Sequence, residues 1–287
     1  MKICVLTDDN SGLNIKDIKD SRIKILRMPI IIDGDCVFQN ETISYEEFYQ
    51  KMERGVNIVT SQPSPGEVCQ TYDNLLKDFD YVLHVPMSSA LSQTCATAQQ
   101  LAENYNGKVL VIDNHRISVT LKQSIYDILT LIDKGYEPQK IKEIIEEEKS
   151  NNSIYIMVNN LTYLKKGGRI TPAACLLGGT FHIKPVLQIF GGKLDAYKKC
   201  IGVKNAKIAI IDAIQNELNT KYKDIDIKDL KFSAAYTKDE GPVLELIEEF
   251  KTKTGLNVEF DVDQLSLSVA THIGPGAIAL TVSKIVR

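Results

Sequence analysis

Tyr81-Val82-Leu83-His84-Val85-Pro86-Met87-Ser88-Ser89-Ala90-Leu91-Ser92-Gln93-Thr94 is the stretch on which the fold turns. Its first five residues read as a short buried strand, and a helical pattern over 93–105 follows. Between them stands a loop carrying Ser88, Ser89, Ser92 and Thr94. Open α/β sheets gather their ligands at such positions, where a strand ends and a helix begins. Buried strands over 3–6 and 109–112, with helices over 118–134 and 138–149, extend the same alternation. Strand and helix in turn predict a parallel sheet.

Further from this unit, Ser44 followed by Glu47 reads as a capping box, and Tyr45, Phe48, Tyr49 and Met52 recur at helical spacing. Ser64, Pro65 and Glu67 repeat that signature ahead of an inner face of Val68, Tyr72, Leu75 and Leu76. Gly107 and Gly135 stand where helix ends favour a left-handed residue. The second half differs. A strand over 154–158 leads through a glycine-rich loop to a helix start at Thr171-Pro172. Strands over 183–190 and 194–200 flank Gly191-Gly192, a two-residue hairpin turn. A helix over 203–219, a strand over 230–236, a helix over 241–254 and a strand over 257–262 follow. The expected fold class is α/β in two domains: a parallel-sheet domain over 1–150 and a mixed-sheet domain over 151–287.

Composition narrows the function. The chain has 287 residues, 44% hydrophobic and 25% charged, the mix of an ordinary globular protein. Its net charge of −3 is spread over interleaved acids and bases, so there is no basic footprint for nucleic acid. Cys4, Cys36, Cys69, Cys95, Cys175 and Cys200 are far apart and form no C-x-x-C, which argues against a zinc site and against a disulfide framework. The apolar run over 3–6 is too short for a signal segment, and no later run is long enough to span a membrane. A soluble, cytoplasmic protein is expected, with no metal and no cofactor.

Four polar stretches fall at strand ends or in loops. They are Thr60-Ser61-Gln62-Pro63-Ser64-Pro65, Ser88 to Thr94, Lys165-Lys166-Gly167-Gly168-Arg169-Ile170-Thr171, and Thr271-His272-Ile273-Gly274-Pro275-Gly276. Each has a purely structural reading. Ser64 is better explained as a helix cap than as a ligand group. Ser92 serves equally as a cap or, with its neighbouring hydroxyls and the free amides of a helix start, as an anion site. Gly167-Gly168-Arg169 reads as a turn with a solvated arginine, and His272 as a structural histidine. A hydrolase built on Ser92 and His272 lacks a G-x-S-x-G elbow and a carboxylate partner. Phosphoryl transfer through Asp8, Asp9 and Arg169 lacks a phosphate-binding loop. Asp8 and Asp9 are better read as fixing the loop after the first strand.

Taken together, these stretches resemble the DegV family, and the resemblance spans residues 2–286. Its landmarks are Thr7-Asp8 at the end of the first strand, the T-S-Q-P-S-P string, S-S-x-L-S-x-T, K-G-G-R-I, Ile183-Lys184-Pro185 and a late H-x-G-P-G. All stand in family order. The resemblance implies two α/β domains with a long-chain, palmitate-like fatty acid in a tunnel between them. It also implies a non-catalytic role, because some members are the binding subunit of a bacterial fatty acid kinase and present the acyl carboxylate to a separate kinase. The carboxylate ligands carry over to Thr60, Ser92 and His272, with Ser61, Ser89, Thr94, Arg169, Gly274 and Gly276 in support. Three departures stand out. Asp9 replaces a serine, Gln93 replaces a glycine, and the arginine that follows the I-K-P hairpin in many members is replaced around Ile201. The glycines common near 119–122 are Val119-Thr120-Leu121-Lys122 here.

Overall fold

Ser64 illustrates how local chemistry starts an element in this chain. Its hydroxyl accepts from the Glu67 N–H while the Glu67 carboxylate accepts from the Ser64 N–H, so the capping box is complete. At Ser44 one half is made: the hydroxyl accepts from the Glu47 N–H. These contacts come from a computed structural model that describes residues 1–176 and 182–287.

In chain order the first elements are β1 (Ile3–Asp8), β2 (Ile23–Leu26), β3 (Ile30–Ile32), β4 (Asp35–Val37), α1 (Tyr45–Glu53) and β5 (Ile58–Thr60). Then come α2 (Pro65–Leu75), β6 (Tyr81–Val85), α3 (Thr94–Ala102), β7 (Val109–Val111), α4 (Ser118–Asp133) and α5 (Pro138–Glu147). The second half holds β8 (Asn152–Met157), α6 (Thr162–Gly167), α7 (Pro172–Cys175), β9 (Ile183–Phe190), β10 (Lys193–Ile201) and α8 (Gly202–Asn219). It ends with β11 (Leu230–Tyr236), α9 (Gly241–Thr254), β12 (Phe260–Gln264), α10 (Leu267–Ile273) and β13 (Ile278–Lys284).

The first sheet is parallel, in the order β2-β1-β6-β7. Ile3, Val5, Leu83 and Val85 on one face pack against α4 and α5; Cys4, Leu6 and Val82 on the other meet Val68 and Tyr72 of α2. This is the period-two division of a strand buried on both sides. The second half forms a six-stranded mixed sheet, β10-β9-β8-β13-β11-β12. All its pairings are antiparallel except β11 with β12. Gly191 and Gly192 turn the β9–β10 hairpin with φ of 55° and 77°, the pair of positive values that a two-residue turn needs. The fold class is therefore α/β, with one parallel and one mixed sheet.

Several elements depart from the sequence expectation. A small antiparallel sheet, β4-β3-β5, stands in the first half and was not expected. The stretch over 165–171 is not all loop, since Lys165 to Gly167 close α6. Thr271 and His272 are not in a loop either; they lie on α10, which Ser266 caps by accepting from the Val269 N–H. The strand expected over 257–262 is Phe260–Gln264. Its shift follows the pairing with β11, which aligns Phe232 with Phe260.

The two faces of the mixed sheet carry different loads. Tyr155, Met157, Ile278, Leu280, Phe232 and Ala234 pack beneath α8 and α9. The opposite face presents Ile156, Leu187, Ala235 and Ala279 toward Val119 of α4. That second face lies between the halves of the molecule, and there its packing is incomplete.

Candidate functional site

Across three neighbouring strands Ile156 pairs with Ala279, and Ala279 with Ala235. Two alanines side by side leave a hollow under α4 where larger side chains would have filled the core. The hollow is a cavity of about 390 Å³, within the size range of small-ligand sites. Its floor is Ile154, Ile156, Ala235, Ala279 and Thr281; Ile117 and Val119 supply one side, and Leu164, Leu265 and Ile273 another. Met28, Met87 and Leu91 also line it. Exposure rises in one direction. The floor residues are buried, Thr60, Ser92 and His272 are half-buried, and Ser61, Gln93 and Arg169 are exposed. The cavity thus has a buried, mostly apolar inner part and a polar, more exposed mouth.

Thr60 ends β5, and its Oγ1 lies 2.9 Å from His272 Nε2 on α10. Two anchors from the first half hold α10 in place. Gln39 Oε1 accepts from the Leu267 N–H at 2.7 Å, and the Ser266 hydroxyl donates to Asn10 Oδ1 at 2.9 Å. Burial, reinforced by the positive charge of Arg169, pushes the His272 pKa down to about 4, so its imidazole is neutral at neutral pH. Gly167 lies directly against the ring, because a Cβ there would come within 2.1 Å of His272 Nδ1. The first glycine of G-G-R is therefore a close-approach residue, and the second ends α6 in the left-handed conformation.

Ser92 stands just ahead of α3. Its Oγ lies 2.8 Å from Thr94 Oγ1 and accepts from the Thr94 N–H at 3.2 Å. The Thr97 hydroxyl donates to Gln62 Oε1, tying this loop to the Thr60 loop. Arg169 projects at the mouth and donates to the Gly167 carbonyl. It lines both the cavity and an adjoining recess with Ser89, Gly168, Thr171 and Lys193.

The remaining expected residues stand back from the cavity. Thr94 is buried behind Ser92, and the Ser89 N–H donates to Asp113. Gly274 presses on the Tyr163 ring and Gly276 on the Asn159 side chain, and neither lines the cavity. Asp8 and Asp9 fix loops, as expected. Asp8 accepts from the Asn10 and Met87 N–H groups, and Asp9 from the Met28 N–H at 2.7 Å and from Arg27. Each aspartate therefore holds the backbone of a methionine that lines the cavity. Burial pushes the Asp8 carboxyl up to about 6. The buried hydroxyl of Ser88 donates to the Gly192 carbonyl at 3.0 Å, joining the loop of the first half to the hairpin of the second.

The floor residues carry no motif. Ile154 and Ile156 fall in the expected strand, but Ala235, Ala279 and Thr281 form one surface only through non-local pairing. Gln62 and Gln93 add amides at the mouth.

The family described as "Uncharacterised protein, DegV family COG1307" matches residues 2–284. A DegV domain-containing protein of Staphylococcus aureus strain MRSA252 is 29% identical over 290 residues, covering 99% of each chain. One from Streptococcus pyogenes serotype M3 is 28% identical over 291 residues, again covering 99% of each. Among solved structures, a fatty-acid-binding DegV family protein from Thermus thermophilus superposes with a TM-score of 0.89 at 26% identity, over 99% of this chain and 100% of that one. A fatty acid binding DegV family protein from Streptococcus agalactiae gives 0.88 at 23% identity over 99% of each, a likeness of fold.

Proposed function

The chain belongs to the DegV family, and on that footing we propose that it is a cytoplasmic, non-catalytic carrier of one long-chain fatty acid. The acyl chain occupies the cavity, and its carboxylate is held at the mouth by Thr60, Ser92 and His272. The observation that carries the reading is the pairing of Thr60 with His272 at the polar end of a mostly apolar slot. The Thermus thermophilus relative, whose description includes fatty acid binding, supports it. So do the six free cysteines, which suit a reducing compartment. Among the described residues no helix is long and apolar enough to cross a membrane.

The energetics suit this ligand. Burying about 15 methylenes at roughly 0.8 kcal/mol each supplies about 12 kcal/mol. Association and ordering remove several of these, leaving binding between micromolar and nanomolar. The carboxylate must replace its lost water, and charge-assisted hydrogen bonds serve best. A neutral His272 with its proton on Nε2 donates to Thr60 Oγ1, which frees the Thr60 O–H to donate to the ligand. With the Thr94 hydroxyl and N–H both donating to Ser92 Oγ, Ser92 keeps its own O–H to give. Ser61 and Arg169 complete the mouth, with Ser89, Thr94, Gly274 and Gly276 shaping its loops.

The same arrangement keeps the carboxylate near solvent, where a separate kinase subunit could receive it; Arg169 and the recess beside it form that face. A hydrolase needs its histidine turned to a nucleophile and oriented by a third group. Here Nε2 meets Thr60 rather than Ser92, and Nδ1 faces Gly167 with no orienting carboxylate bonded to it among the described residues. The two lobes are taken as 1–150 and 151–287. Native mass spectrometry of the purified chain, followed by lipid extraction, tests the proposal. A single bound fatty acid is expected, lost in the Thr60→Ala, Ser92→Ala double variant. A variant that keeps lipid at parental affinity would overturn the head-group assignment.

A further inference from the structure

Two hydroxyls on the cavity wall have no hydrogen-bond partner among the described residues: Thr281 Oγ1 and Ser118 Oγ. Thr281 is 1% exposed and Ser118 7%, so solvent does not satisfy them. A buried, unmet hydroxyl is costly, and valine or alanine would suit a plain hydrocarbon better at either place. Thr281 stands away from the mouth, and Ser118 lies where α4 meets the same cavity. Thr281 pairs with Ile154, one same-face step along the strands from the Ala279–Ile156 pair, or about 6.6 Å at the usual rise. The mouth loops leave from the Ala279–Ile156 end, through Met157 to α6 and back through Gly274 to α10.

Ser118 adds a second oddity. It opens α4, a helix of 16 residues whose first turn has no side-chain cap. Its φ is 54°, in the left-handed region that a residue with a Cβ enters at a cost. The amino end of a helix, with its free N–H groups, is thus held in strain beside an unpaired hydroxyl, on the wall of an apolar slot. Such a combination fits an oxygen atom arriving with the ligand.

We propose that Thr281, Ser118 and the amino end of α4 form a second, inner polar subsite, which receives an oxygen borne on the hydrocarbon chain. The cognate ligand is then a long-chain acid with a hydroxyl or oxo group partway along its tail. This rests on the fatty acid reading of the cavity and specifies its substrate class. A hydroxyl on the tail accepts from the helix N–H groups or from Ser118, and donates to Thr281 or Ser118. An unsubstituted tail leaves all of them unmet.

Calorimetry on the intact chain with stearate and with 9-, 10- and 12-hydroxystearate tests the inference. At least one hydroxy acid is expected to bind about tenfold more tightly than stearate, the worth of one satisfied buried hydroxyl. In Thr281→Val, an isosteric change, the ratio should fall to about one. Ser118→Gly, which suits the left-handed backbone, should lower it as well and serves if the first variant folds poorly. Stearate binding as tightly as every hydroxy acid overturns the inner subsite while leaving the carrier reading intact. A preference that survives both variants overturns it too. If none of the four acids binds, both readings fall together.

Discussion

Thr60 Oγ1 and His272 Nε2, 212 positions apart in sequence, meet at 2.9 Å at the mouth of the cavity. The contact draws β5 of the small sheet to α10, whose own anchors, Gln39 and Asn10, lie in the first half. It makes one donor unit from two residues, and a double-mutant cycle can measure that unity. Thr60→Val and His272→Gln should each weaken fatty acid binding about tenfold. The double variant should lose less than the product, with a coupling of about 1 kcal/mol. Strict additivity in calorimetric titrations would show that the two groups act separately.

Gly167 faces the other side of the same ring. A methyl group there would sit 2.1 Å from Nδ1, and the ring cannot yield without leaving Thr60. Gly167→Ala is therefore expected to displace His272, with about tenfold or greater loss of affinity. Overpacking should cost about 1–3 kcal/mol of stability. If alanine at 167 leaves lipid affinity unchanged, the imidazole is not fixed by this contact.

Much of this architecture was legible locally. The strand–loop–helix unit over 81–105, the capping box at Ser64 and the Gly191-Gly192 turn are short-range signals that fold as read, and of the box at Ser44 the hydroxyl half forms. What could not be read is non-local. α10 is only seven residues long, too short for a periodic apolar stripe, and its one cue is Ser266. β13 is buried along nearly its whole length, Thr281 and Ser283 included, so no polar alternation marks it. The floor depends on small side chains meeting across strands, and Ala235 and Ala279 become neighbours only through register. Thr60, Ser92, Arg169 and His272 could be nominated from their loops and all border the cavity, whereas the packing roles of Gly274 and Gly276 needed Tyr163 and Asn159.

His84 is a fully buried residue of β6, and its Nδ1 lies 2.6 Å from the Tyr72 hydroxyl. Burial alone pushes its pKa down to about 3 from an unfolded value of 6.5. The folded chain therefore refuses a proton that the unfolded chain accepts. The stability tied to this is whole above pH 6.5 and is lost as pH falls. Asp8 and Asp127, both raised to about 6, act in the opposite sense between 6 and 3.8, so the parent profile is partly levelled. Comparison with His84→Gln isolates the histidine. From pH 6.5 to 4.5 the parent should lose about 2.3 kcal/mol more than the variant, the slope rising to about 1.36 kcal/mol per unit once the unfolded histidine is fully protonated. Urea unfolding at several pH values reads this directly, and parallel profiles would refute a buried neutral imidazole.

Ala234 and Ala235 are adjacent on β11 and point to opposite faces of the mixed sheet. Ala234 is 0% exposed in the cluster with Phe250, Leu246 and Phe232, where no room remains. Ala235 is 3% exposed, yet its side chain borders the cavity. The same substitution should therefore have two different results. Ala234→Leu forces extra carbons into close packing and should cost about 1–3 kcal/mol, with lipid still bound by the chains that stay folded. Ala235→Leu places those carbons in empty, apolar space. It should leave the unliganded protein as stable as before, or about 1 kcal/mol more so, and it should expel the acyl chain. Melting temperature and bound lipid, measured together, separate the cases. If both variants melt early, the hollow beside Ala235 is not there to be filled. If Ala235→Leu is stable and still carries its lipid, the acyl chain lies elsewhere.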